Sequence, residues 1–144
     1  MADSTGSAPS LDRFLDAQRP SYAAALGELR RGRKTGHWIW FIFPQVAGLG
    51  RSEMSRFYAI ASLDEARAYL DEPVLGARLR ECATAVLAIE DRPATDIFGP
   101  TDALKVRSSM TLFHRAAPDD PFFREVLNRY FDGIPDPATD ERLR

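Results

Sequence analysis

Apolar residues return every three or four positions along most of this chain, with charged residues between them. That period puts them on one stripe of an α-helix. It first shows at Leu11, Phe14 and Leu15, just after Ser10, a residue suited to capping a helix. Pro20 is expected to break or restart this helix, because proline lacks the amide the helical ladder needs. Tyr22, Leu26 and Leu29 carry the period on to Gly32, a stop signal. Ser62-Leu63-Asp64-Glu65 reads as a capping box, the serine accepting from an amide while the glutamate reaches back. It opens a helix with Leu63, Ala66, Tyr69 and Leu70 inward, closed before Pro73. Leu75, Leu79, Cys82, Val86 and Ile89 then form the best helical stripe in the chain, broken at Asp91-Arg92-Pro93. Ile97 to Pro100 reads as a connector, and Thr101 or Asp102 as the cap of a helix running to about His114. Asp119-Asp120-Pro121 starts a last core helix carrying Phe122, Phe123, Val126, Leu127, Tyr130 and Phe131, stopped at Asp132-Gly133. The remaining tail, with Pro135 and Pro137, is expected to lie across the surface.

The pattern lapses once. Trp38-Ile39-Trp40-Phe41-Ile42-Phe43 is apolar throughout, so its period cannot separate a buried strand from a buried helix. Aromatic and β-branched content favours an extended piece, and Pro44 ends it. A run this short cannot span a bilayer, which needs about 20 residues. It belongs in a core or in a pocket wall. Gly48 and Gly50 mark a loop, after which Ser52 caps a short turn through Met54 and Phe57. Residues 1–9 are small and polar and are expected to form a disordered leader. Residues 10–144 therefore read as one all-α, multihelical domain of six or more helices, with at most a trace of β.

Charge narrows the class. With 19 basic and 21 acidic residues the chain is close to neutral, which argues against nucleic-acid polymers and membranes as partners. Cys82 is alone, so an internal disulfide and a thiolate metal cluster are excluded. His37 and His114 lie too far apart for a metal-ligand spacing, and no metal or cofactor is expected. No cationic region followed by an apolar stretch opens the chain, so a cytoplasmic location is expected. The oligomeric state is left open.

Candidate chemistry clusters in two places. Gly48-Leu49-Gly50-Arg51-Ser52 offers flexible amides and an arginine before a helix start, which could cradle a phosphate or form a plain turn. On the helix from Thr101, Asp102, Lys105 and Ser109 share a face, with Ser108 on the adjoining one. A carboxylate there could activate water and a lysine could hold an anion; the plainer reading is a capping aspartate and a surface lysine. Ser108 and Ser109 have no neighbouring base that would make either a nucleophile. His37, beside two tryptophans, reads equally as a ligand-binding group and as the polar end of a core segment. Cys82, on its apolar stripe, reads as a small buried hydrophobe. Arg30, Arg31, Arg33 and Lys34 read as a solvated helix end, with a pocket rim as the lesser alternative.

Several of these stretches resemble a known family. Arg13-Phe14, Ala17-Gln18, Glu28-Leu29-Arg30 with Gly32 and Lys34, and the whole run from His37 to Gln45 resemble the bacterial domain of unknown function family 1810. So do Gly48-Leu49-Gly50 with Ser52, Tyr58-Ala59-Ile60, Ile97-Phe98-Gly99, Asp102 with Lys105, Ser108 to Phe113, and Asp136 with Thr139. The resemblance covers roughly residues 11–143 and implies a compact multihelical bacterial domain with no established activity. A fainter likeness is to NADAR domains, which are linked to cleavage of N-glycosidic bonds in ribosylated compounds. Asp102, Lys105 and Met110 are similar to their late acidic, basic and methionine residues, whereas their acidic-histidine-tyrosine motif has no counterpart here.

The leading expectation is an N-glycoside hydrolase acting on a nucleotide-like or ADP-ribose-like ligand. Asp102 would activate water, Lys105 and Arg51 would hold phosphate, and Trp38 or Trp40 would stack on a ring. His37, Gln45, Ser108, Ser109 and the Gly48–Gly50 loop would orient the ligand. The alternative is a non-catalytic module that binds a small molecule or peptide in the same place, and a third reading makes these residues caps and buried hydrogen-bond partners.

Overall fold

A computed structural model describes residues 10–144; the expected leader at 1–9 lies outside the described residues. Among the described residues there are nine helices, no strand, and a single isolated β-bridge between Val46 and Ile60. The fold is all-α, as the periodicity requires.

The first helix, α1 (Asp12–Arg30), is continuous and contains Pro20, which does not break it. Its two halves share one buried stripe, Phe14, Ala25, Leu26 and Leu29, whose packing outweighs the local cost of the proline. The hydroxyl of Ser10 accepts from the Asp12 amide, and Gly32, at φ +79°, ends the helix. The aromatic run is a single helical turn, α2 (Ile39–Ile42), rather than the favoured extended piece. Buried on nearly all sides, the run is held by what it packs against, so β-propensity had no vote there. Ser52 and Ser62 cap α3 (Glu53–Phe57) and α4 (Leu63–Asp71) as expected, with Glu65 reaching back to the Ala61 amide at 2.7 Å.

The helix α5 (Pro73–Leu87) buries Leu75, Leu79, Cys82 and Val86. The expected connector at Ile97 is in fact α6 (Ala94–Phe98), a short helix burying Ala94, Ile97 and Phe98. Next comes α7 (Pro100–Ala116), whose N-cap is Gly99 at φ +84°, not Thr101 or Asp102; no side chain caps it. Asp102 sits instead in its first turn. Asp120 caps α8 (Pro121–Phe131), and Asp132 and Gly133, both at positive φ, end it. The tail lies at the surface, as expected, but folds into a further helix there. Residues Pro137–Arg142 form α9, capped by Asp136 with Thr139 fully buried.

The middle of the bundle is α7, packed against α4, α6, α8, α9 and α2. A ladder of rings runs through it, with Phe14 on Tyr69 at 5.1 Å, Tyr69 on Phe113 at 5.3 Å and Phe113 on Phe123 at 5.8 Å. The first two turns of α7 emerge from this core beside α2 and the glycine loop, and the candidate site lies there.

Candidate functional site

Asp102 is the hub. Its Oδ2 lies 2.7 Å from Lys34 Nζ and its Oδ1 lies 3.4 Å from Lys105 Nζ. Lys105 is there because it follows Asp102 by three residues on α7, one turn up the same face. Lys34 is there because Gly32 turns the chain at the end of α1 and the Lys34 amide bonds the Ile97 carbonyl, bringing the lysine alongside α7. The side chains of Lys34 and Asp102 are only 8% and 19% exposed, so little water screens this pair. Two ammonium groups on one carboxylate leave the cluster one positive charge in excess.

Each lysine also covers a tryptophan. Lys34 Nζ stands 5.2 Å from the ring of Trp38, and Lys105 Nζ stands 5.1 Å from that of Trp40. Trp38 is buried, and its indole N–H donates to Glu28 at 2.8 Å. The same Glu28 oxygen accepts from the amides of Thr35 and Gly36. Burial alone would raise the pKa of Glu28, but the Gly36 and Thr35 amides and the indole outweigh it, so the carboxyl lies below its ordinary value. Trp40 keeps a buried indole N–H with no hydrogen-bond partner among the described residues. Trp38 is therefore closed to stacking, while Trp40 is partly buried with Lys105 over its ring.

Beside the hub is a hollow of about 310 Å³, lined among others by Gln45, Gly50, Thr101, Leu104, Lys105, Ser108 and Asp136. Lys105 is its cation. The carboxamide of Gln45 and the hydroxyl of Thr101 make no side-chain hydrogen bond within the described residues. The far wall is already engaged. Asp136 Oδ2 accepts from Ser108 Oγ at 2.9 Å, from Thr139 Oγ1 at 2.6 Å and from the Thr139 amide at 3.1 Å. Ser108 also donates within reach of the Leu104 carbonyl, so it serves structure at the start of α9.

The expected site residues thus divide. Gln45, Gly50, Lys105 and Ser108 line the hollow, and Asp102 borders it through Lys105. Trp40 lies under Lys105, behind the wall. Ser109 does not reach the hollow: it is 0% exposed inside the core, its hydroxyl without a bond. His37 is exposed and outside the lining, and so is Arg51. Gly48 is covered by Arg142, which donates to its carbonyl at 3.1 Å, while Ser52 fills the first turn of α3 with its own hydroxyl. Cys82 is a buried free thiol whose pKa is pushed up to about 12, chiefly by burial. Thr101 and Asp136 were not expected at the site, and Lys34 only under the lesser pocket-rim reading of the basic cluster. An Asp-Pro-x-Thr start signal made Asp136 readable as a cap, but nothing local ties Lys34 to α7.

The model of the family described as protein of unknown function (DUF1810) matches residues 8–143. The chain belongs to this family. The chain is also similar to a crystal structure of a conserved hypothetical protein from Mycobacterium tuberculosis, at 48% identity and a TM-score of 0.91. That match covers 92% of this chain and 95% of the mycobacterial one. A comparison with curated proteins found no match. No described helix is long and apolar enough to cross a membrane.

Proposed function

We propose that the hollow beside Lys105 binds a small anionic, nucleotide-like molecule without chemically changing it. The supporting observation is the Lys34–Asp102–Lys105 cluster. Lys34 neutralises Asp102 at 2.7 Å, and Lys105, held at the longer 3.4 Å, keeps its charge for the hollow. An ammonium so placed, with the Gln45 carboxamide and Thr101 hydroxyl beside it, suits a phosphate or carboxylate. A base that activates water needs a free carboxylate oxygen within reach of that water. Both oxygens of Asp102 are in ion pairs, which favours a positioning role over a catalytic one. The hydrolase reading also leaned on Met110, which is fully buried in the core.

The test is a thermal-shift screen against nucleotides, ADP-ribose, NAD and simple phosphates, followed by chromatography of any ligand that stabilises the fold. At a hundredfold its Kd, a ligand raises stability by about 2.7 kcal/mol, several degrees for a chain of this size. The expected result is a hit recovered intact, lost in Lys105→Ala. Release of a free base or of nicotinamide, abolished in Asp102→Asn, would restore the N-glycoside hydrolase.

A further inference from the structure

A second, larger hollow of about 650 Å³ lies on another part of the molecule, where the C-terminal ends of α1 and α5 come together. Its floor is Ala85, Ala88 and Ile89, and its rim carries Arg30, Arg31 and Arg92. Helix C-termini ordinarily repel anions, because their last carbonyls are unpaired. At the end of α5 those carbonyls are taken, and so is the Gly32 carbonyl just beyond α1. Arg92 donates to Gly32 O at 3.0 Å, Arg129 donates to Leu87 O and Ile89 O at 3.1 and 2.7 Å, and the Tyr130 hydroxyl donates to Val86 O.

The acidic residues at the rim are Glu81 and Glu90. Glu81 is itself engaged, by a hydrogen bond from the Tyr22 hydroxyl and by Arg30 at 3.7 Å. Arg31 is different: its guanidinium makes no hydrogen bond or ion pair within the described residues. The hollow therefore combines an uncommitted, fork-shaped cation with a small apolar floor, and a guanidinium is matched by a planar carboxylate or a phosphate.

We infer that this hollow is a second binding site, for a small organic anion with a flat apolar body: the anionic group on Arg31 and Arg92, the body on Ala85, Ala88 and Ile89. The probes are phenyl phosphate and benzoate, with inorganic phosphate and benzylamine as controls, titrated by calorimetry or chemical-shift perturbation. Three exposed positions give the variants: Arg31→Gln and Arg92→Gln remove charge, and Ala88→Phe fills the floor with no change of charge. Phenyl phosphate or benzoate is expected to bind at millimolar concentration or tighter. Binding at this hollow, followed by the chemical shifts of the Ala85 and Ile89 amides, should weaken at least fivefold in Arg31→Gln and in Ala88→Phe, whereas shifts at Thr101 and Leu104 report the hollow beside α7 and are read separately. The inference is overturned if neither aryl anion binds, if benzylamine binds as well as they do, or if inorganic phosphate matches phenyl phosphate. It is equally overturned if Arg31→Gln and Ala88→Phe both bind like the parent protein while keeping its far-ultraviolet spectrum and melting temperature.

Discussion

Glu28 holds the chain between α1 and α2 in one conformation, because a single buried carboxylate oxygen collects three donors, from Thr35, Gly36 and Trp38. Glu28→Gln loses the charge on that acceptor and is expected to cost about 1–3 kcal/mol at pH 7, read from urea unfolding. The pH dependence has a definite sign. The folded pKa lies below the ordinary value of 4.5, so the stabilisation is present above that value and lost as pH falls through the folded pKa. The gap between Glu28→Gln and the parent protein should therefore narrow below pH 4.5. At Asp102, Asn would leave Lys34 and Lys105 facing each other without a counter-charge. A loss of about 1–3 kcal/mol is expected, between the limits for exposed and buried pairs. Of this cluster, Asp102 and Lys105 were legible in the sequence because a helix fixes their spacing. Lys34 was not, because only tertiary folding brings it to α7.

At the scale of elements, α9 depends on Asp136. Its carboxylate accepts from the Thr139 amide and hydroxyl and from Ser108, and its own amide donates to Thr111 Oγ1 at 2.8 Å. Asp136→Ala should cost about 1–2 kcal/mol, the upper range for a helix cap. Amide exchange should rise first at Thr139 to Leu143, since α9 would fray before the bundle opens. Cap and stop signals made most helices legible in the sequence: Ser52, Ser62, Asp120 and Gly32 all act as their residue types require. The failures share a cause, which is that packing overrode a local rule. Pro20 lies inside α1 because Phe14 and Leu29 anchor both halves on one core. The run from Trp38 to Phe43 has no polar residue to give a period, and packing sets Ile39–Ile42 within it as a helical turn. Thr101 and Asp102 lost the capping position to Gly99, whose positive φ sets where α7 begins.

For the molecule as a whole, the ring ladder through Phe14, Tyr69, Phe113 and Phe123 joins α1, α4, α7 and α8 into one core. Phe113→Ala, at the middle of that ladder, should cost about 3–5 kcal/mol, and unfolding should remain a single transition with an unchanged m-value. The all-α class was legible in the sequence because amphipathic spacing recurs from Phe14 to Phe131. The hollow's shape was not, since it is formed by α7, the glycine loop and α9 together, segments that meet only in the folded chain. That hollow gives Lys105 its role. The most direct measurement is calorimetric titration of the best nucleotide-like ligand into the parent protein and into Lys105→Ala at pH 7. The account predicts a binding isotherm that weakens about tenfold to a hundredfold in the variant, as expected for loss of a charge-assisted hydrogen bond. Equal affinity in the two proteins would contradict it.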